Sequence, residues 1–246
     1  MEVAVKLDDR PKIDRMSGLH VLRVFVNEDA EWGNPLGVFL DGAQVPESER
    51  QRVAAELDFS ETVFVEDRLT GRLRIYTPEV ELPFAGHPSV GVAWLLAREG
   101  TPVDLLRPPA GEVGARQADG AAFVAARPEW APPFEYHRLD SPAEVRLLAS
   151  SAQNANTYAW AWIDEAAGTI RARSFLPEAG IGEDEATGSA ALALCAKLGR
   201  PVTVHQGRGS VLACRPLADG RAEVGGRVVL DALRDFRLTR ERRDGR

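Results

Sequence analysis

Glu61, His87 and Asp184 are the ionisable residues whose settings in the sequence suit proton chemistry. Glu61 follows Phe59-Ser60 and precedes Thr62-Val63-Phe64-Val65. An isolated glutamate is ordinarily a solvated surface carboxylate, but these apolar flanks set this one beside a core. A carboxyl in that position acquires a raised pKa and can serve as a general acid/base. His87 precedes Pro88, a residue type favoured in first helical turns, which predicts His87 at a helix N-cap. There it either completes the cap or directs its imidazole into a cleft as a proton carrier. Asp184 lies in Gly182-Glu183-Asp184-Glu185-Ala186-Thr187-Gly188-Ser189. Three adjacent acids are commonly a solvated cluster or helix N-terminal charge, and only one of them points easily into a cleft. Thr187, Gly188 and Ser189 are anion-site candidates, with an ordinary cap as the alternative.

The elements that must carry these residues follow from periodicity. Strands are expected at Leu19–Val26, Leu36–Leu40, Thr62–Val65 and Leu73–Tyr76, with a surface helix over Pro46–Leu57 and an apolar helix around Val90–Ala97. Further strands are expected at Ala121–Ala125, Thr157–Ile163, Thr169–Phe175, Val202–His205, Ser210–Cys214, Arg221–Val224 and Arg227–Leu230. A second apolar helix is expected at Gly188–Leu198. Residues 1–17 read as a loose charged extension, and Arg234–Arg246 as a solvated basic tail.

One repeat organises the chain. Arg74-Ile75-Tyr76-Thr77-Pro78-Glu79 recurs 99 residues later as Arg173-Ser174-Phe175-Leu176-Pro177-Glu178, and each copy leads through small residues into an apolar helix. Agreement of strand, turn and helix in order argues for internal duplication. A helix apolar all round must be buried all round, so the expected architecture is α+β, with two similar domains of curved sheet, each wrapped around a central helix. The expected bounds are 18–106 and 107–246, with the last segment a candidate to return to the first domain. The two helix N-termini, with unpaired N–H groups and positive dipole ends, then suit an anionic ligand held between the domains.

Composition narrows the alternatives. The 246 residues carry 30 Lys and Arg against 37 Asp and Glu, a formal charge of −7, which argues against broad nucleic-acid binding. No apolar run approaches the roughly 18 residues of a membrane helix. Only Cys195 and Cys214 occur, without His or Cys neighbours at metal-ligand spacing, and His20, His137 and His205 stand far apart, so no metal site is expected. Gly207-Arg208-Gly209 lacks the Gly-Lys-Ser/Thr of a phosphate loop. No dinucleotide-binding glycine pattern and no serine-hydrolase elbow is present. Met1–Ser17 has no apolar signal region, and with so few cysteines the expectation is a cytoplasmic protein.

The segments Gly33–Val38, Ser60–Val65, Arg74–Gly91, Arg173–Ala190 and Gln206-Gly207 together resemble the PhzF family, the phenazine-biosynthesis-type isomerases with a diaminopimelate epimerase-like fold. The resemblance implies a cofactor-free and metal-free isomerase, homodimeric, with its site between two pseudo-symmetric domains. In the phenazine enzyme a glutamate moves a proton along a cyclohexadiene carboxylate, and its motif falls on Glu61. The family's histidine falls on His87, and its aspartate and serine on Asp184 and Ser189. Gly86 and Gly188 match backbone positions that cradle a substrate carboxylate, and Asn34 and Thr187 fall among the substrate-binding positions. The related epimerases place two cysteines at the helix starts, where this chain has none. The alternatives left open are an epimerase acting at one carbon and a non-catalytic small-acid binding protein. Two departures bear on substrate: Glu185 replaces a proline, adding charge and freeing a rigid turn, and Arg208-Gly209-Ser210 shortens the segment after Gln206-Gly207.

Overall fold

The computed structural model describes residues 16–149, 155–179 and 181–237. Two helices define its interior. α2 (Gly86–Arg98) buries Gly86–Ala93, Leu95 and Leu96, and α4 (Gly188–Leu198) buries every residue from Gly188 to Cys195. Neither has a polar stripe, so each is enclosed by sheet on all sides. α4 is rich in alanine, a strong helix former, and ends at Gly199, whose φ of 64° supplies a left-handed C-cap.

The duplication is visible in the order of elements. β2 (Asn34–Phe39), α1 (Glu47–Leu57), β3 (Glu61–Asp67), β4 (Arg72–Tyr76) and β5 (Glu81–Leu82) lead into α2. β9 (Glu135–Arg138), α3 (Pro142–Leu147), β10 (Thr157–Asp164), β11 (Thr169–Leu176) and β12 (Ile181–Asp184) lead in the same way into α4. In both halves the first two strands pair in parallel and the next two pairings are antiparallel.

β6 (Leu105–Leu106), β7 (Val113–Ala118) and β8 (Ala121–Ala126) follow α2, while β13 (Val202–Gln206) and β14 (Ser210–Pro216) follow α4. β7 and β8 lie beyond the junction expected near residue 106, and both pack on α2. β15 (Ala222–Arg237) pairs along one edge first with β14 and then with β1 (Met16–Val26), and along the other with β8. This one long strand replaces the two short ones expected at 221–224 and 227–230. Residues 234–237, expected in a solvated tail, instead pair with 16–19 of β1. That pairing takes Met16 and Ser17 into a strand, and the rest of the expected N-terminal extension lies outside the described residues. The C-terminal part of β15 is thus the strand beside β1.

A continuous apolar core encloses both helices, from Leu22, Leu36 and Val63 on one side to Leu192, Val204 and Leu212 on the other. A smaller cluster under α1 includes Phe39 and Phe64, stacked at 5.2 Å between ring centroids.

Candidate active site

The N-termini of α2 and α4 meet. A Cβ on Gly86 would stand 2.7 Å from the Gly188 carbonyl carbon and 2.7 Å from the Ser189 nitrogen. A Cβ on Gly188 would stand 3.0 Å from the His87 nitrogen. Glycine at both positions lets backbone touch backbone. The first-turn N–H groups have no intrahelical acceptors, and two positive dipole ends are brought together.

The acids converge on this junction from separate strands. Glu61 opens β3, and its Oε2 lies 3.3 Å from His87 Nδ1. Hydrogen-bond geometry is not met, so Oε2 is buried and unpartnered. His87 is the second residue of α2, with Ala85 as N-cap. The N-cap position expected for His87 is therefore corrected: Pro88 stands third in the helix, and the extended Ala85 makes the turn into it. Burial holds His87 down to about 3, against the opposing effect of the nearby Pro35 carbonyl. His87 is thus neutral at physiological pH.

Glu61 is pushed well above the usual carboxylate range, first by burial and then by the charge of Asp184. Burial also raises Asp184, but Thr187 and Asn34 oppose this by donating to it. Thr187 Oγ1 donates to Asp184 Oδ2 at 2.6 Å, and Asn34 Nδ2 donates to Oδ1 at 2.7 Å and to the Ala186 carbonyl at 3.0 Å. Of two buried carboxyls, the one with donors on both oxygens keeps the charge, and the unpartnered one keeps the proton. Asp184 is therefore the ion and Glu61 the acid, beside a neutral imidazole.

The remaining site residues complete this frame. Thr187 is the N-cap of α4, although its side chain turns to Asp184 rather than to the helix backbone. Ser189 is buried in the first turn of the same helix. Ser60 Oγ donates to Asn34 Oδ1 at 3.0 Å, joining the residue before Glu61 to the network around Asp184.

Two partners escaped the sequence. Gln206 Nε2 donates to the Asp184 carbonyl and to Thr187 Oγ1, both at 3.0 Å, while its Oε1 accepts from Tyr158 at 3.0 Å. The signal available for Gln206 was its place in the Gln206-Gly207 segment; Tyr158 had none.

Glu185 does not free its turn. Its carboxylate accepts from the Arg208 backbone N–H at 3.0 and 3.1 Å, from Arg208 Nε at 3.3 Å and from Ser210 Oγ at 3.0 Å. Ser210 Oγ in turn accepts from the Gly33 N–H. The added acid thus clamps the shortened 207–210 turn to the approach to α4.

The thiols lie apart from this site. Burial pushes Cys195 up to about 12 and Cys214 well above its ordinary range, and neither stands at a helix start. Among the described residues no three His, Cys, Asp or Glu side chains are grouped to hold a metal ion.

The burial of His87 has a measurable consequence. The folded state refuses a proton that the unfolded chain takes up below about 6.5. Stability contributed by neutral His87 is therefore lost as pH falls from about 6.5 toward 3. Glu61 acts oppositely, since the folded state retains a proton above 4.5, and its contribution is lost as pH rises from there. His87→Asn is expected to flatten the acid-side loss in urea midpoints measured against pH. An unchanged slope would refute the assignment.

One continuous sheet wrapped around two buried helices, with paired acids at the junction of the helix starts, defines a diaminopimelate epimerase-like fold. A phenazine biosynthesis protein of the PhzF family from Enterococcus faecalis superimposes with a TM-score of 0.75 at 22% identity, over 91% of this chain and all of that one. A hydroxyproline epimerase from Agrobacterium vitis superimposes with a TM-score of 0.61 at 13% identity, over 92% and 94% of the two chains. The family model for phenazine biosynthesis-like proteins, PhzC-PhzF, matches residues 23–161. The trans-2,3-dihydro-3-hydroxyanthranilate isomerase of Pseudomonas fluorescens is 30% identical, across 80% of this chain and 88% of that protein. Matches to three other curated relatives, two of them named as isomerases, span only 24–38% of those proteins. The chain belongs to the PhzC-PhzF phenazine biosynthesis-like family.

Proposed function

We propose that the protein is a cofactor-independent isomerase that shifts a proton between carbons of a small carboxylic or amino acid, cyclic ones included. The observation that carries this is the buried Glu61 carboxyl, with Oε2 unpartnered and 3.3 Å from neutral His87. A carboxyl whose pKa is raised is a stronger base when ionised and returns a proton readily when neutral. Glu61 reacts from its ionised form: having released its resting proton to solvent, it takes the proton from one carbon and delivers it to another, so the carboxylate is regenerated and the enzyme's proton count is unchanged over the step. His87 and Asp184 orient the substrate and relay charge. The first-turn N–H groups at Gly86 and Gly188, with Ser189 and Thr187, hold the carboxylate. Both amide hydrogens of Asn34 are engaged by protein acceptors, so in this reading Asn34 positions Asp184. The buried, high-pKa thiols speak against a two-cysteine epimerase.

The substrate named for the Pseudomonas fluorescens relative, trans-2,3-dihydro-3-hydroxyanthranilate, is the first candidate, with a place in secondary metabolism. We take the enzyme to be a cytoplasmic homodimer of two-domain chains that share β15. No helix among the described residues is long and apolar enough to cross a membrane.

The test is incubation with that compound and related unsaturated amino and hydroxy acids in deuterium oxide, followed by NMR. Double-bond migration, with loss of hydrogen at one carbon and its gain at another, is expected. Exchange at a single carbon without migration would replace the proposal with epimerisation. Saturable binding without exchange across the series would leave only a binding protein.

A further inference from the structure

The duplication supplies an internal control on charge. In the first half, Arg72 and Arg74 project from β4 and both meet carboxylates. Arg72 Nε lies 3.0 Å from Glu66, and Arg74 is held by Glu81 on β5 and Glu47 on α1. The matching residues of the second half, 99 positions on, are Arg171 and Arg173 on β11. Arg173 is matched by Glu183 through two bonds of 2.7 and 2.6 Å. Among the described residues Arg171 has no carboxylate partner. Its terminal nitrogens donate to the backbone carbonyls of His205 and Gly207, and its buried Nε has no acceptor. Where α1 brings the acidic Glu47, α3 brings Arg146, whose guanidinium has no side-chain partner among the described residues.

These groups line a cleft of about 380 Å³ between α3, β11, β12 and the turn after β13. Four arginines face it against two glutamates. Both acids are already committed, Glu183 to Arg173 and Glu185 to Arg208 and Ser210. Among the described residues the cleft therefore carries two uncompensated guanidinium charges, and Arg171 still has N–H groups to give, since a guanidinium has five and only two are used there. Burial and the neighbouring Arg146 and Arg173 push the Arg171 pKa down, as expected for a cation placed among cations without an anion.

We propose that this cleft binds a small phosphate-bearing molecule, its dianionic oxygens bridging Arg146 and Arg171. Two guanidiniums, that of Arg171 held in place by backbone carbonyls, match a phosphate dianion in charge and supply its donors. The volume lies at the small end of the roughly 300–1,000 Å³ typical of ligand sites, so a compact metabolite fits and a nucleotide polymer does not. The site stands behind the Asp184–Glu185 approach to α4, with Glu185 and Gly207 in its wall. It is separate from the helix starts where the isomerase reading places the substrate.

Isothermal titration of the full-length protein with inorganic phosphate, against sodium chloride at matched ionic strength, tests the site. Saturable binding is expected, weakened about tenfold by Arg146→Gln, which corresponds to about 1.4 kcal/mol. The Arg146 side chain is exposed and has no partner among the described residues, so its loss leaves folding intact. Arg72→Gln in the compensated half is expected to leave the dissociation constant unchanged. Phosphate held instead at the helix starts would bind Arg146→Gln as tightly as the unaltered protein, and that result overturns the proposal. Heat no greater than that of chloride overturns it as well.

Discussion

Glu61→Gln is expected to lower kcat by about 10²–10⁴-fold, the usual worth of a positioned acid/base, while the chain stays folded. The amide keeps the shape of a protonated carboxyl and its neutrality. Burial already holds Glu61 in its neutral form, so the substitution asks the fold to accept nothing new. At neutral pH it removes a group that the unfolded chain ionises and the folded chain resists ionising, so stability is expected to hold or rise. This separates the residue's chemical role from a structural one. A catalytic Glu61 gives a stable, ligand-competent and inactive variant that no longer moves deuterium from solvent into product. A Glu61 that merely fills space gives turnover within a few-fold of the original. The second outcome, in a variant with unaltered melting behaviour, removes Glu61 from the mechanism.

The parts of this arrangement that the sequence displays are those encoded locally. α2 and α4 are legible because an all-apolar helix has only one stable environment, and the repeat of Arg74–Glu79 at Arg173–Glu178 shows that there are two of them. His87 and Asp184 stand out because each adjoins such a helix and Glu61 because it opens an apolar strand, and the fold carries all three to the helix starts. What was not legible depends on long-range pairing. β15 looks like two short strands because Gly225-Gly226 interrupts the pattern, yet β8, β14 and β1 hold it extended through Arg237. β5, β6 and β12 are too short for any period to register, and α3 is six residues long. Gln206 and Tyr158 reach Asp184 through bonds between residues remote in sequence. Glu185 misleads for the same reason, since an acid that looks unpaired in sequence finds Arg208 and Ser210 across a turn.

Gly86→Ala is expected to damage both stability and substrate binding, because the contact it breaks lies between backbones. Alanine in a helix ordinarily gains about 0.5–1 kcal/mol over glycine. Here the new methyl would stand 2.7 Å from both the Gly188 carbonyl carbon and the Ser189 nitrogen. Side chains can rotate away from such a contact, whereas the first turn of a buried helix cannot. Overpacking of this kind costs about 1–3 kcal/mol, which outweighs the propensity gain. For a chain of this size each kcal/mol lowers Tm by about 2–4 °C. The methyl also enters the space beside the Ser189 N–H, one of the donors assigned to the substrate carboxylate. KM is therefore expected to rise in molecules that remain folded, beyond what lost stability explains. Gly182→Ala provides the comparison, since a Cβ at that position meets nothing within 4 Å, and neither Tm nor KM should change. If Gly86→Ala melts and binds like Gly182→Ala, the two helix starts are not in contact and do not hold the carboxylate between them.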